Sequence, residues 1–565
     1  LDALDAVASL GLMPAEAVEQ VRADYCALRD LENRLQAQHD RQTHRLPEGE
    51  DLERLARAMR QPDGVALQRW LDRLRERVRH HFEAAHPDER RAPANDAWAA
   101  RWQQLREDAG DKHAGAAGDP FAAFVERLQR QALSQRAARR LDRFMPMLLE
   151  QLADHPLQDR VLNHVLDLVL AISRRSAYLS LLVHHPDALR AVLQLFEQSG
   201  WLASEVVRYP SLLDELIDPA LVARPPDQDE IATTVGRTRE LGQDLEARLN
   251  ALNHVKRAFV LRIAVAELRG NLEAVEVPAR LTRVAEAVLQ AALELAAEDL
   301  AARHPGIGPG VLSVVGYGSL GAAELGYTSD LDVVFLHDAP DEQEAGITLL
   351  ARRTLSLLTT PTPAGRLYEV DTRLRPNGRA GLLVSSLEAF DRYQRESAWT
   401  WELQALTRAR PVAGDAGLGR RFEDIRRAVL AQPREVETLR SDLADMRARM
   451  RRESPGGSPL KHAPGGLVDI EFIAQLGVLA NAAREPRVTR PSGTRGQLEA
   501  LGDSGWLSAA QACQLLDVHA ALLEARHRAF LAGQPPADVP GREGVINLFS
   551  DRVGEAPTTG SSGSE

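Results

Sequence analysis

Along most of this chain apolar residues recur every three or four positions, the spacing of an amphipathic helix. Val18, Val21, Tyr25, Leu28, Leu31 and Leu35 mark one such helix over residues 14–40, and a second helical stretch covers about 51–85. Residues 86–118 lose the periodicity and turn rich in Pro, Ala, Gly and Asp, the texture of a linker. From 120 to 302 helix follows helix. Leu241, Leu245, Leu249 and Leu252 form one stripe, and Val284, Val288, Ala291, Leu295 and Leu300 form a later one. Pro156, Pro186, Pro210, Pro219 and the Pro225-Pro226 pair punctuate the run. This pattern predicts a helical bundle.

The texture changes at His304-Pro305-Gly306-Ile307-Gly308-Pro309-Gly310, a cluster of helix breakers. Short β-rich runs follow at Val311–Val315, Leu331–Leu336 and Arg366–Thr372, with a helical pattern at about 345–358 between the last two. Helix returns from about 386 to 535, interrupted by the Gly/Pro-rich Ser454–Gly466, and Pro557–Glu565 reads as a flexible tail. Gly11-Leu12-Met13-Pro14-Ala15 and Gly505-Trp506-Leu507-Ser508-Ala509 each precede a long helix, a faint internal repeat.

Composition narrows the class. The 565 residues amount to about four domains at roughly 150 residues each. At 44% hydrophobic and 27% charged the chain is globular, and 5% aromatic content beside abundant Ala, Leu and Arg favours helix over sheet. A net charge of −12 argues against a nucleic-acid binder. Two cysteines, Cys26 and Cys513, cannot build a disulfide framework, which points to a reducing cytoplasm. No apolar run reaches the ~18 residues of a membrane span. The start at Leu1 has neither an initiator Met nor a signal peptide, as expected of a fragment of a longer protein. Basic charge is almost all Arg; only Lys112, Lys256 and Lys461 break the pattern, so each marks a place where a compact ammonium is worth examining.

Chemistry concentrates in one region: Val315-Gly316-Tyr317-Gly318-Ser319-Leu320-Gly321, then Ser329-Asp330-Leu331-Asp332-Val333-Val334-Phe335, then Glu369-Val370-Asp371. Residues two apart on a strand share a face, so Asp330 and Asp332 project together. Two such carboxylates suit Mg²⁺, with Mn²⁺ as an alternative. Asp371, on a further strand able to pair beside the first, supplies a third, and three can serve two metal ions. The glycines allow backbone N–H groups to approach phosphate oxygens. Singly these signals are weak, but in this order they point to nucleotidyl or phosphoryl transfer.

The arrangement resembles the nucleotidyltransferase superfamily of DNA polymerase β. The string Gly316-Tyr317-Gly318-Ser319-Leu320-Gly321…Glu324-Leu325-Gly326-Tyr327-Thr328-Ser329-Asp330-Leu331-Asp332 is similar to the glutamine synthetase adenylyltransferase family. So are Leu367–Pro376, Trp399–Pro411 and Lys461–Phe472, four blocks in order. The resemblance implies a bifunctional enzyme. One half removes AMP from a tyrosine of glutamine synthetase by phosphorolysis, and the other adds AMP from ATP. The PII signal protein and glutamine act as effectors. The core present here resembles the adding half, which places the removing core upstream of Leu1. The expected fold is mostly α with an α+β nucleotidyltransferase core flanked by helical bundles. Its parts are 1–85 (end of the removing half), 86–118 (linker), 119–303 (helical regulatory region), 304–415 (nucleotidyltransferase core), 416–550 (helical domain) and 551–565 (tail).

On this reading Asp330, Asp332 and Asp371 are the catalytic and metal-holding residues. Gly318 and Ser319 hold the β- and γ-phosphates. Ser319 stands where the family usually has Lys, so transition-state charge falls to Lys461, Arg373 and Arg375. Arg373 and Arg375, two apart on one strand face, serve either phosphate or salt bridges to the carboxylates; Lys461 serves either phosphate or its own loop. Leu403 replaces a common His. Trp401, Glu402 and Gln404 read as a helix packed beside the site, Asp469 as a helix cap, and Arg440–Arg452 as a solvated helix face. His184-His185 shows no metal-ligand spacing. The rival readings are a uridylyltransferase-type modifier of a signal protein and a non-catalytic nucleotide sensor.

Overall fold

A computed structural model describes residues 15–37, 46–47, 49–85, 96–108, 120–154, 157–216, 224–240, 244–301, 303–304, 306–453 and 458–554. Gly11–Pro14 of the suspected repeat, Lys112 and residues 555–565 of the expected tail lie outside them, while Asp551 and Arg552 end the helix Arg542–Arg552. The chain divides into two compact units, Leu1–Gln103 with Met145–Leu149, and Gln104–Phe144 with Glu150–Glu565.

In the first unit the helix Ala15–Ala37 forms as the periodicity predicts. Its Leu31 and Leu35 share a small core with Leu55, Ala56, Leu67 and Leu71. The stretch expected at 51–85 is two helices, Glu50–Ala58 and Gly64–Ala85. The break falls where Arg60 takes a left-handed φ of 56°, and Asp63 then accepts from the Ala66 N–H at 2.7 Å to start the next helix. The expected linker contains a helix, Asp96–Asp108, whose Ala, Gln, Leu and Arg residues are good helix formers that the flanking Pro and Gly obscured.

The second unit is built around one small sheet. Its strands are β1 (Leu312–Gly316), β2 (Leu331–His337), β3 (Val370–Asp371), β4 (Val384–Ser386) and β5 (Arg410–Gly414). The order is β3-β2-β1-β5, with β4 also on β2. β1 runs antiparallel to β2 and β5, while β3 and β4 lie parallel to β2. β1 and β2 fall where the apolar runs predict them. β5, inside a stretch read as helix, has Pro411 and a register shift between Val314 and Val315, which disguise it as a strand.

The sheet is covered on both faces, which is why its two central strands read as continuous apolar runs. Leu331, Val333 and Phe335 of β2 pack with Leu312 and Val314 against the helices Leu245–Leu268, Val277–Ala301 and Asp341–Thr359. Val334 and Leu336, together with Val315 and Tyr317, join a second core made by the helices from Leu387 to Arg552. Period-two alternation therefore assigns Asp330 and Asp332 to the face of Val334 and Leu336, the side of the carboxy-terminal helices.

One segment, Pro459–Asn481, is long and apolar enough to cross a membrane by length and composition, although no uninterrupted apolar run of that length occurs in the sequence. It is mostly buried at the centre of the carboxy-terminal core. Cys26 and Cys513 are free and exposed.

Candidate active site

β1 ends at Gly316, and after the extended Tyr317 the chain makes a single helical turn, Gly318–Gly321. The Tyr317 N–H donates to the Asp332 carbonyl at 2.9 Å, which fixes this turn beside the start of β2. Gly318 has φ +51°, and a Cβ there would stand 2.5 Å from Asp332 Oδ2. A Cβ at Gly321 would stand 2.1 Å from the Arg408 carbonyl oxygen. Both positions require glycine. If the turn serves the nucleotidyl transfer that the sequence pattern points to, Gly318→Ala is expected to lower its kcat/KM by about a hundredfold, because Asp332 must move. Circular dichroism should show the fold retained.

The structure places the three predicted aspartates on and beside the paired strands β2 and β3. β2 and β3 align Leu331 with Val370 and Asp332 with Asp371, and the Leu331 N–H donates to the Glu369 carbonyl at 3.0 Å. Asp330 is exposed and Asp332 half-buried. The Asp332 carboxyl is pushed up to about 6 by burial and then by the Asp330 and Asp371 charges, against the pull of Arg373 and Lys461. Asp371 accepts from Arg373 Nε at 2.6 Å and from the Arg373 backbone N–H at 2.8 Å. Among the described residues no three His, Cys, Asp or Glu side chains stand grouped to hold a metal ion. The donors themselves are hard carboxylate oxygens of the kind a divalent cation takes, with Asp332 and Asp371 aligned on β2 and β3 and Asp330 just before β2.

Two expectations about the cations change. Arg373 and Arg375 do not share a strand face, because β3 stops at Asp371 and the chain turns, with Pro376 and a left-handed Asn377 at φ 61°. Arg375 donates from Nη1 to the carbonyl and the hydroxyl of Thr372, both at 2.8 Å, and from Nε to the Gly381 carbonyl at 3.2 Å. In this arrangement it holds its own loop. Arg373 remains beside the carboxylates, with its side chain 63% exposed and able to turn. Ser319 is half-buried on the turn next to Gly318.

Lys461 sits on the short helix Pro459–His462, and its charge reaches Asp332 from the carboxy-terminal side. Asp469 does not cap the following helix, whose N-cap is Gly466. It is buried, with Arg447 Nε at 2.6 Å, Arg451 Nη2 at 3.1 Å and the Gly465 N–H at 2.8 Å. Arg447, buried inside the run read as solvated, also donates to the His462 carbonyl at 2.7 Å. Glu402 and Gln404 are buried on the helix Thr400–Leu406 as expected, while Trp401 is largely exposed.

The sequence reading gave no role to Arg408 and Arg410, although the block containing them was singled out. Arg408 is buried. It donates to the Gly318 carbonyl at 3.4 Å, to Thr494 Oγ1 at 3.0 Å and to Glu324 at 2.8 Å, and it pairs with Glu471 at 3.4 Å. Arg410 donates to the Gly321 carbonyl at 3.3 Å and pairs with Glu286. Together they brace the carbonyls of the Gly318–Gly321 turn.

Lys256 answers the question raised by the rarity of lysine. On the helix Leu245–Leu268, its ammonium donates to the Leu367 carbonyl at 2.5 Å and lies 4.5 Å from the centre of the Tyr368 ring. Burial, helped by the Arg257 charge, lowers it to about 8. Between that value and the unfolded one near 10.4 the unfolded chain holds a proton the folded chain has released, so this group makes stability rise with pH. The unfolding free energy of the native chain minus that of Lys256→Met should grow by up to about 3 kcal/mol across that window, as measured by urea titration at each pH.

Comparison with known proteins agrees with this geometry. Residues 189–425, which include every strand among the described residues, match the family model described as glutamate-ammonia ligase adenylyltransferase. Three bacterial relatives are named bifunctional glutamine synthetase adenylyltransferase/adenylyl-removing enzyme. The one from Xanthomonas axonopodis pv. citri is 40% identical over 548 residues, 93% of this chain and 58% of the relative. That from Hahella chejuensis is 37% identical over 579 residues, 95% of this chain and 60% of the relative. That from Pseudomonas putida is 39% identical over 569 residues, covering 92% and 58%. Residues 189–425 form a domain of the glutamate-ammonia ligase adenylyltransferase family. The chain spans just under three-fifths of the Xanthomonas relative's length. Residues 1–86 and 432–534 match a second model, GlnD PII-uridylyltransferase. These segments are helical where described and contain no strand of the core. The similarity to a uridylyltransferase therefore lies in helical flanks, and the adenylyltransferase family's own model covers the Asp-bearing sheet.

Proposed function

We propose that this chain transfers AMP from ATP to a tyrosine of glutamine synthetase, in the bacterial cytoplasm, with the PII protein and glutamine as its effectors. The observation that carries the reading is the in-register pair Asp332 and Asp371 with Gly318 against Asp332, inside the segment matching the adenylyltransferase model. Asp330, Asp332 and Asp371 would hold Mg²⁺, which supplies charge neutralisation of the triphosphate and acidifies the acceptor hydroxyl. The tyrosine oxygen bonds to the α-phosphorus as the bond to the β-phosphate oxygen breaks, and pyrophosphate departs. Asp371 accepts the phenolic proton. The Gly318–Ser319 turn and Lys461 hold the departing β- and γ-phosphates, and Arg373 turns from Asp371 to the nucleotide. The removal of AMP by phosphorolysis belongs, on this reading, to a second core of the full-length enzyme.

Incubating glutamine synthetase with this chain, Mg²⁺ and ATP should add one AMP per subunit by intact mass, and Asp330→Asn should abolish the addition. A gain of UMP from UTP in place of AMP would overturn the assignment in favour of the uridylyltransferase that the helical flanks resemble. Nucleotide binding with no transfer, even with glutamine and PII added, would leave a sensor.

A further inference from the structure

A cleft of about 1160 Å³ opens beside Asp330, and its lining includes no residue of the Gly318–Gly321 turn. One wall is helical and carries Trp201, Arg208, Tyr209 and Lys256; the other is made by the loops that lead into β2 and β3, residues 325–330 and 361–369. Asp330 lies on its lining, whereas Gly318, Ser319 and Lys461 do not. Asp330 is therefore reachable through this cleft.

We infer that the cleft binds the polypeptide segment carrying the acceptor tyrosine; this rests on the adenylyl-transfer reading above. In-line displacement at phosphorus puts the entering oxygen opposite the leaving one. With pyrophosphate held by Gly318, Ser319 and Lys461, the acceptor must arrive from the opposite side, and the cleft reaches Asp330 without including any of those three in its lining. Its size suits a stretch of chain, since it exceeds the usual volume of a small-molecule pocket. Its aromatic lining, Trp201, Tyr209, Tyr327 and Tyr368, suits the face of a tyrosine ring.

The walls are fixed before any ligand arrives. Four residues of one helix grip the second wall. Asn250 accepts from the Ala364 N–H at 3.3 Å, Asn253 donates to Thr362 Oγ1 at 3.4 Å, Lys256 donates to the Leu367 carbonyl, and Arg257 donates to the Ala364 carbonyl at 3.0 Å. Arg257 also pairs with Glu205 at 2.5 Å across to the helix Gly200–Arg208. Tyr327, just before Asp330, donates to Glu267 at 2.5 Å and stacks on Phe530 with ring centres 5.6 Å apart. Such preorganisation lowers the ordering cost of binding an extended segment.

The test narrows the cleft from both sides at exposed positions of its lining, with Arg208→Trp and Pro363→Trp made separately. Each should raise KM for glutamine synthetase by about tenfold, with kcat and the directly measured Kd for ATP within about twofold of the native chain. An unchanged KM in both variants overturns the assignment. So does a weakened ATP Kd, which would make the cleft part of the nucleotide site. If the unaltered chain transfers no AMP to glutamine synthetase, the underlying reading falls as well; transfer with native KM in both variants removes the cleft alone.

Discussion

Asp332→Asn should lower single-turnover AMP transfer about a thousandfold or more while leaving the melting temperature unchanged or higher. The two halves of that expectation have one cause. Asp332 is half-buried and feels Asp330 and Asp371 beside it, so its ionised form is disfavoured, and its carboxyl sits near 6. A nearly isosteric amide relieves the repulsion and still fits under Gly318, but it removes a charge the site needs to bind a cation. Catalytic clusters of this kind are held against the preference of the fold, and neutralising them commonly exchanges activity for stability. Differential scanning calorimetry beside the transfer assay checks both. A fall in melting temperature of more than about 4 °C would make Asp332 a structural residue, and retained transfer would remove it from the mechanism.

How much of this could be read from the sequence depended on whether a residue's role was local. Gly318, Asp330 and Asp332 lie within fifteen residues of one another, and strand alternation alone places the two aspartates on one face. Asp371 needed only the assumption that its strand pairs beside β2, and it does, in register with Asp332. The arginines were harder. In a chain that writes nearly all its basic charge as Arg, a buried guanidinium looks like any solvated one. Arg447 sits in a helix whose charge pattern reads as surface, yet it is 1% exposed, and Arg426 is wholly buried against the Thr407 and Thr489 carbonyls. Arg375 looked equivalent to Arg373 because a two-residue spacing was read as strand, and a turn separates them. The cleft beside Asp330 could not be seen at all. Its walls come from residues 201–281 and 325–369, which only tertiary packing brings together.

Arg447 and Asp469 are the partners whose separation should cost most. Asp469 is 1% exposed and receives Arg447, Arg451 and the Gly465 N–H, while Arg447 also holds the His462 carbonyl. The segment from Pro459 to Gly466, which carries Lys461, is therefore tied to the carboxy-terminal core by this buried carboxylate, as well as by the buried Leu460 and by Arg542 on the Pro459 and Pro464 carbonyls. Asp469→Ala leaves Arg447 charged and buried with its main partner gone, so unfolding free energy should fall by about 3–5 kcal/mol in a urea titration. Asp469→Asn, which keeps one acceptor oxygen, should lose less. The functional consequence runs through Lys461. If the ion pair's role in transfer is to place that ammonium, then Asp469→Asn and Lys461→Met should each lower kcat, and the double variant should be little worse than Lys461→Met alone. Fully additive losses would mean that Asp469 supports the fold and Lys461 the chemistry, with no coupling between them.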